Sequence, residues 1–381
     1  MAGRRPPDHP RAGDRAHRHN AADPLRPLPM TPASTDSGPR LTSLSHGGGC
    51  GCKIAPGVLS ALLAQSALPP MVFPDLLVGT ETADDAAVYR INERQAIVAT
   101  TDFFMPIVDD PRDFGRIAAT NALSDLYAMG AQPLMALAIV GMPINVLPHE
   151  VIAKILEGGE SVCREAGIPL AGGHSIDSVE PIYGLVGIGI VEIEHLKRNA
   201  SAQAGDVLVL GKPLGVGILS AALKKGELGA DGYAAMIDAT TRLNRPGTEL
   251  ARLPEVHALT DVTGFGLLGH TLELARGAGL SAHIDARALR WLPGVQALAE
   301  RGTVTGASGR NWASYGADVK GLEHDTVLRA LLTDPQTSGG LLVACAPEAA
   351  ERVLAIFAQQ GFGDAAVVGR MAPGAPQVVV D

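Results

Sequence analysis

Apolar stretches of two kinds alternate along most of this chain, and the alternation narrows the folds open to it. Helix-like stretches, such as 111–130 and 148–167, have apolar residues at helical spacing and end at glycine. Between them lie runs typical of strands at 95–101, 133–142 and 181–194, which are rich in valine, isoleucine and small residues. A chain with this alternation is expected to be an α/β protein in which helices cover sheets.

Composition divides the chain into three parts. Residues 1–40 are rich in proline, arginine, histidine and aspartate and lack a hydrophobic period, which predicts a disordered N-terminal extension. Met30 precedes the first patterned stretch and is a candidate start of translation. A polar stretch at 194–205 separates the remainder, so we expect an N-terminal α/β domain at 41–195 and a C-terminal α/β domain at 196–381.

Charge and cysteine content argue against several functional classes. The formal net charge is −9 and only 4% of residues are aromatic, which disfavours a nucleic-acid partner. No apolar run approaches the roughly 20 residues that span a bilayer, so no membrane partner is expected. Four cysteines in 381 residues are too few for a disulfide scaffold, and the reducing cytoplasm is the expected location.

A glycine-rich segment at 46–53 contains the most distinctive chemistry. It holds Cys50 and Cys52, followed by Lys53, whose charge could lower a thiol pKa or hold a phosphate. A thiolate here could act as a nucleophile or carry a chalcogen atom. The alternatives are two small buried residues in a turn, or half of a zinc site, although the chain has no second cysteine pair. No Walker motif is present, so a P-loop kinase is disfavoured.

Aspartates among small residues form a second set of candidates: Asp84 with Asp85, then Asp102, Asp125 and Asp261. Carboxylates in such apolar settings are unfavourable unless they are paired or bind a metal. Mg²⁺ takes oxygen ligands, usually a few carboxylates together with nucleotide phosphates. The ordinary alternative is that each aspartate caps a helix or ends a strand.

Two further glycine-rich elements are open to more than one interpretation. The backbone N–H groups of 171–175, which include Gly173, His174 and Ser175, could hold anionic oxygens, or the element could be a plain turn after a strand. The stretch 264–269 matches G-x-G-x-x-G.

The second element supports a rival hypothesis, an NAD-dependent oxidoreductase. A predicted strand precedes 264–269, a helix follows, and Asp285 ends a later strand about 20 residues on, as the dinucleotide fingerprint requires. Asp261 weakens this hypothesis, because it would place a negative charge close to the pyrophosphate.

Taken together, these segments resemble the selenophosphate synthetase family. The matching strings are 46–53, 84–89, 100–104, 115–122, 171–177, 260–266 and 334–340. The resemblance runs in order from about residue 41 to the end, and its Cys-Gly-Cys-Lys segment separates this family from related aminoimidazole ribonucleotide synthetases and thiamine-monophosphate kinases. It implies a two-domain α/β (α+β) fold like that of aminoimidazole ribonucleotide synthetase, in which the N-terminal domain forms a barrel across a homodimer.

The resemblance also implies a reaction and residue roles. ATP, selenide and water would give selenophosphate, AMP and phosphate, with Mg²⁺ as cofactor and activated selenium as the supply for selenocysteine tRNA and selenoproteins. Cys50 would handle or present selenium, Lys53 would contact phosphate, and the Mg²⁺ ligands would be Asp85, Asp125 and Asp261. The implied nucleotide-binding positions are Lys53, Thr82, Ala83, Asp84, Asp102, Asp125, Gly173, His174 and Ser175. The stretch 264–269 would then be a tight strand-to-helix turn.

Overall fold

The computed structural model describes residues 39–54, 58–59, 61–62, 65, 73–79 and 84–381. The extension predicted at 1–40 lies almost wholly outside these residues, as do Thr82 and Ala83. Within the described ranges, no helix is long and apolar enough to cross a membrane.

A six-stranded sheet comes from the first half of the chain, in the order β1-β2-β3-β6-β4-β5. Its strands are β1 (Leu76–Val78), β2 (Ala87–Arg90), β3 (Gln95–Phe104), β4 (Gln132–Met142), β5 (Leu170–Asp177) and β6 (Ile182–Glu192). Neighbouring strands are antiparallel except β4 and β5, which run parallel. The strands predicted at 95–101, 133–142 and 181–194 are therefore confirmed.

Two long helices accompany this sheet, α1 (Pro111–Ala128) and α2 (His149–Ala166). Helix α1 packs on β3 and β6, and α2 packs on α1. The backbone N–H of Asp113 donates to Asp110 Oδ1 at 2.8 Å, so the N-cap of α1 is Asp110 and Asp113 lies in the first turn. Small buried residues along α1 let it lie close to the sheet, and the helix thereby places Asn121 and Asp125 in the interior of the fold.

A seven-stranded sheet comes from the second half, in the order β10-β13-β9-β12-β7-β11-β8. Its strands are β7 (Val207–Leu210), β8 (Val256–Asp261), β9 (Ser281–Ile284), β10 (Val319–Lys320), β11 (Leu341–Cys345), β12 (Ala366–Ala372) and β13 (Gln377–Val380). The helices are α3 (Val216–Lys225), α4 (Ala230–Thr240), α5 (Pro246–Leu250), α6 (Gly266–Ala278), α7 (Val295–Glu300), α8 (Gly306–Tyr315), α9 (Thr326–Leu332) and α10 (Ala350–Gln359). Helix α1 packs against β8, which brings Asp125 towards Asp261.

Lys212 has a buried amine just beyond β7. Its Nζ donates to the carbonyl oxygens of Arg242 at 2.7 Å and Ser338 at 2.8 Å, and its side chain is almost fully buried. Burial lowers the pKa of Lys212 from its ordinary value of 10.5 to about 7. Lys212 therefore ties the loop that contains Ser338 to the second sheet without a carboxylate partner among the described hydrogen bonds and ion pairs.

We expect Lys212 to make stability depend on pH in the alkaline range. Between pH about 7 and 10.5 the unfolded chain protonates this amine and the folded protein does not, so its contribution falls as pH falls through that window. The difference in unfolding free energy between wild type and Lys212→Met should grow with rising pH by up to about 1.4 kcal/mol per unit. Urea unfolding across this window measures the difference, and Lys154→Met, on the exposed face of α2, is the control. A pH-independent difference would contradict the expectation.

Candidate active site

Three aspartates from separate elements converge in one place. Asp85 precedes β2, Asp125 lies on α1 and Asp261 ends β8, and one carboxylate oxygen of each lies within 4.8 Å of the others. Thr100 Oγ1 donates to Asp125 Oδ2 at 2.5 Å, and Thr260 Oγ1 donates to Asp85 Oδ1 at 3.0 Å. The three residues predicted as metal ligands thus lie side by side, and we call them the aspartate trio.

Electrostatics make the aspartate trio unfavourable without a cation. Desolvation, and then the neighbouring Asp261, raise the pKa values of Asp85 and Asp125 well above their usual range. Desolvation is also the main reason that the pKa of Asp261, which is 1% exposed, is raised. Within the described part of the chain, Asp85 Oδ2 and Asp261 Oδ2 are buried without a hydrogen-bond partner. A divalent cation would pair these oxygens and remove the repulsion, so the residues fit Mg²⁺.

Cys50 lies in a buried position close to these acids. It is 1% exposed, its backbone N–H donates to Thr337 Oγ1 at 3.1 Å, and its thiol donates to Asn121 Oδ1 at 3.2 Å. Burial first, and the charge of Asp102 second, raise the pKa of the Cys50 thiol, and the opposing effect of Lys53 is smaller. The lowering of the thiol pKa that the sequence suggested for Lys53 is therefore outweighed, and Cys50 is held as a thiol in this arrangement.

Asn121 connects the groups around Cys50. Its side-chain amide donates to Asp102 Oδ2, and its Oδ1 accepts both the Cys50 thiol and the backbone N–H of Ser338, the latter at 2.6 Å. Ser338 has a φ of 50°, in the left-handed region that non-glycine residues rarely adopt. The segment 334–340 therefore reaches across from the second half of the chain to fix both Asn121 and Cys50.

Lys53 provides a cation at the edge of this site. Its Nζ lies 3.7 Å from Asp102 Oδ2, and its side chain is 40% exposed. The charge of Asp102 raises the pKa of Lys53, so the ammonium group stays protonated at neutral pH. A fixed cation beside a carboxylate cluster is suited to an anionic, metal-bound group such as a polyphosphate.

The remaining predicted positions are Asp84 and three residues of β5. Asp84 Oδ1 accepts the backbone N–H of Asn199 at 2.7 Å. Gly173, His174 and Ser175 belong to β5, an exposed edge strand paired with Ala138–Val140 of β4, so the alternative of a plain turn at 171–175 is wrong. The glycines weakened the strand signal there. Among the described hydrogen bonds and ion pairs, none joins these three residues to Cys50 or Lys53.

The G-x-G-x-x-G stretch has a packing role. A side-chain carbon on Gly264 would lie 2.7 Å from the carbonyl oxygen of Cys50 and 3.2 Å from Lys53 Cδ. The space over this glycine is thus occupied by the cysteine segment, where a dinucleotide would need to place its pyrophosphate. Gly266, with a φ of 71°, forms the sharp turn into α6.

Comparisons with known proteins agree on the fold. The chain matches the AIR synthase related protein N-terminal domain over residues 83–191 and the corresponding C-terminal domain over residues 203–381. Thiamine-monophosphate kinase from Stenotrophomonas maltophilia K279a superposes with a TM-score of 0.57 at 22% identity, over 87% of this chain and 96% of that one. Hydrogenase maturation protein HypE in complex with ATP gives a TM-score of 0.59 at 19% identity, over 90% and 94% of the two chains. The predicted aminoimidazole-ribonucleotide-synthetase-like fold is confirmed.

Curated relatives are far more similar in sequence. A selenide, water dikinase of Pseudomonas straminea is 77% identical over 91% of this chain and 98% of its own length. The protein of that name from Burkholderia pseudomallei (strain K96243) is 74% identical, over 90% and 97% of the two chains. Identity at this level over nearly the whole length of both proteins shows that the chain belongs to the selenide, water dikinase family, the selenophosphate synthetases.

Proposed function

We propose that this protein phosphorylates selenide, converting ATP, selenide and water to selenophosphate, AMP and phosphate. Its product would supply activated selenium for selenocysteine tRNA and selenoprotein synthesis. The observation that carries the proposal is the convergence of Cys50, Lys53 and the aspartate trio in a member of this family. The structural neighbour determined with ATP, which has the same fold, supports ATP as the substrate.

We assign the nucleotide and its metal to the side of Cys50 on which Asp102 and the aspartate trio lie, which we call the carboxylate side. Asp85, Asp125 and Asp261 would hold Mg²⁺, which when bound neutralises phosphate charge. Lys53 would contact a phosphate, and Asp102 would orient Lys53 and Asn121. Asp84 and the β5 residues Gly173, His174 and Ser175 stay proposed nucleotide contacts, together with Thr82 and Ala83.

Phosphoryl transfer to selenide asks for positioning and electrostatic stabilisation more than for a base. Selenide is largely deprotonated and strongly nucleophilic at neutral pH, so this chain need not remove a proton from it. Its task is to place selenide in line with the γ-phosphorus and to keep water out. The buried Cys50, fixed by Asn121 and Thr337, is placed to receive selenium, and the glycine-rich segment covers the site.

The nucleotide products test this proposal. Purified protein incubated without oxygen should form AMP and orthophosphate only when ATP, Mg²⁺ and selenide are all present, and anion-exchange chromatography separates the nucleotides. Omitting selenide is the control for background hydrolysis. ADP as the final product, or AMP formation that does not depend on selenide, would contradict the reaction.

We also propose a homodimer built on the first sheet. Exposed apolar side chains occur on five of its six strands, namely Leu76 of β1, Tyr89 of β2, Phe103 of β3, Leu134 and Met135 of β4 and Ile176 of β5. Ile176 is 57% exposed on β5, which lies at the edge of the sheet formed by the described strands, and an edge strand can pair with another chain. A second copy that covered these residues would close the sheet into a barrel.

Ile176→Asp is expected to convert the dimer to a monomer, because it would bury a charge at the subunit contact. Sedimentation velocity measures the change. Val367→Asp, an equivalent substitution at an exposed valine of β12 in the second half of the chain, should leave the dimer intact. A monomeric wild type, or a dimeric Ile176→Asp variant, would contradict the proposal.

Two further parts of the proposal concern organisation and location. We place the domain boundary at 194–205, because the first sheet ends at Glu192 and the second begins at Val207. We place the protein in the reducing cytoplasm, because all four cysteines are free thiols and Cys50 must stay reduced to handle selenium.

A further inference from the structure

A cavity of about 330 Å³ lies beside the segment that contains Cys50. Gly47, Gly48 and Gly51 form part of its wall, and residues of α3 and α8 form other parts. A much smaller void touches Cys50 and Lys53 directly, and it shares Gly51, Ala307 and Arg310 with the larger cavity. The cavity therefore adjoins the void at Cys50, and the residues between the two are Gly51, Ala307 and Arg310.

The charges around this cavity are cationic. Its ionisable lining residues are His46, Lys224, Lys225 and Arg310, and no carboxylate lines it within the described part of the chain. Lys224 Nζ donates to the Ser45 carbonyl at 3.0 Å, and the Arg310 guanidinium donates to the Gly51 carbonyl at 2.9 Å. These two cations are thus fixed to the glycine-rich segment itself.

Lys225 differs from its neighbour. In the described part of the chain it forms no hydrogen bond or ion pair, although it lines the same cavity, and its side chain is exposed. Glu180 lies nearby and is paired with His46 at 2.8 Å. The charge of Lys225 can therefore be changed without removing a contact of the segment.

The other side of Cys50 has the opposite charge. Asp102 reaches Cys50 through Asn121, and the aspartate trio adds three more carboxylates. The whole chain has a formal net charge of −9. An anion that brings no metal ion with it is repelled by these carboxylates and attracted from the cavity side, whereas a nucleotide would approach the carboxylates together with Mg²⁺.

We propose that this cavity is the access and binding site for the selenium anion, hydroselenide (HSe⁻), on its way to Cys50. The inference rests on the proposed function, and it adds a separate route for the second substrate. Lys225 and Arg310 attract the anion, and Gly51 is the point at which it passes to Cys50. Nucleotide and metal occupy the carboxylate side, so the two anionic substrates reach the site from opposite directions.

Steady-state kinetics test the route. Lys225→Glu should raise the KM for selenide by about fivefold, with the KM for ATP unchanged, because it removes attraction for one substrate only. Arg310→Gln removes the same attraction together with the hydrogen bond to the Gly51 carbonyl, and it should raise the KM for selenide at least as much. Arg310→Lys keeps the charge and should restore the lower KM. The control is Lys154→Glu, the same charge reversal on the exposed face of α2. An unchanged KM for selenide in both test variants would overturn the proposal.

Alkylation of Cys50 tests the same cavity independently of catalysis. Iodoacetate is anionic and iodoacetamide is neutral, and mass spectrometry measures the rate of each at Cys50. Lys225→Glu should lower the rate of Cys50 alkylation by iodoacetate about fivefold relative to the rate with iodoacetamide. Lys154→Glu should leave the ratio of the two rates unchanged.

The two experiments separate two kinds of failure. If the wild type makes no selenophosphate, the proposed function is wrong, and the alkylation ratio still decides whether anions reach Cys50 through this cavity. If selenophosphate forms, but the substitutions at Lys225 and Arg310 change neither the KM for selenide nor the ratio of alkylation rates, the function stands and this route is wrong.

Discussion

Cys50→Ala is expected to lower selenophosphate formation by about a thousandfold or more, whereas Cys52→Ala keeps most of it. The thiol of Cys50 is buried against Asn121, beside Asp102 and Lys53, so it lies where we propose that both substrates meet. The thiol of Cys52 instead donates to the carbonyl of Gly49 at 2.8 Å, a contact within its own turn. Initial rates of selenide-dependent AMP formation measure both variants.

The stability of Cys50→Ala separates catalysis from folding. The substitution removes one hydrogen bond to Asn121 and a small side chain, which we expect to lower the unfolding free energy by about 1–2 kcal/mol. A folded but inactive variant supports the role of the thiol. Activity above about a tenth of the wild-type rate would contradict it.

The second large effect is expected at the aspartate trio. Asp261→Asn should lower Mg²⁺-dependent turnover by about a hundredfold or more, because it removes one of the three charged ligands proposed for the metal. The same change should stabilise the metal-free protein by about 1–3 kcal/mol, because it removes one of three mutually repelling buried carboxylates. Turnover would thus fall while the unfolding free energy of the metal-free protein rises.

Urea unfolding in the presence of a chelator measures the stability change, and titration calorimetry measures Mg²⁺ binding. Asp206→Asn is the matched control, since Asp206 is also buried but pairs with His257 at 2.7 Å and accepts the Gln203 N–H. Asp206→Asn should lower the unfolding free energy, because it removes the carboxylate that pairs with His257. An Asp261→Asn variant that is less stable without metal and still binds Mg²⁺ would contradict the account of the trio.

The sequence predicted best those features that depend on local pattern. Helix α1 has helical spacing and a proline at its start, and its bounds lie within two residues of the prediction. Strand β11 was missed because its five residues, Leu341–Cys345, are all buried, so no alternation of apolar and polar residues marks it. At strand β5 the glycines indicated either an anion-binding element or a turn, and the strand itself was missed.

The candidate site shows the same limit. The aspartates were recognisable because carboxylates among small apolar residues are unusual. The hydrogen-bond partner Thr337 of Cys50 could not be recognised, because it lies 287 residues away along the chain and no local pattern links the two. Likewise, the proximity of Lys53 to Cys50 was visible in the sequence. The burial of Cys50 and the charge of Asp102, which decide the direction of its thiol pKa, depend on tertiary structure.

Phosphorus NMR of an anaerobic mixture of the protein, ATP, Mg²⁺ and selenide tests the central claim most directly. Selenophosphate and AMP should appear together in equal amounts with the wild type, and neither should appear with Cys50→Ala. AMP or ADP without selenophosphate would contradict it and would indicate a different acceptor for the phosphoryl group.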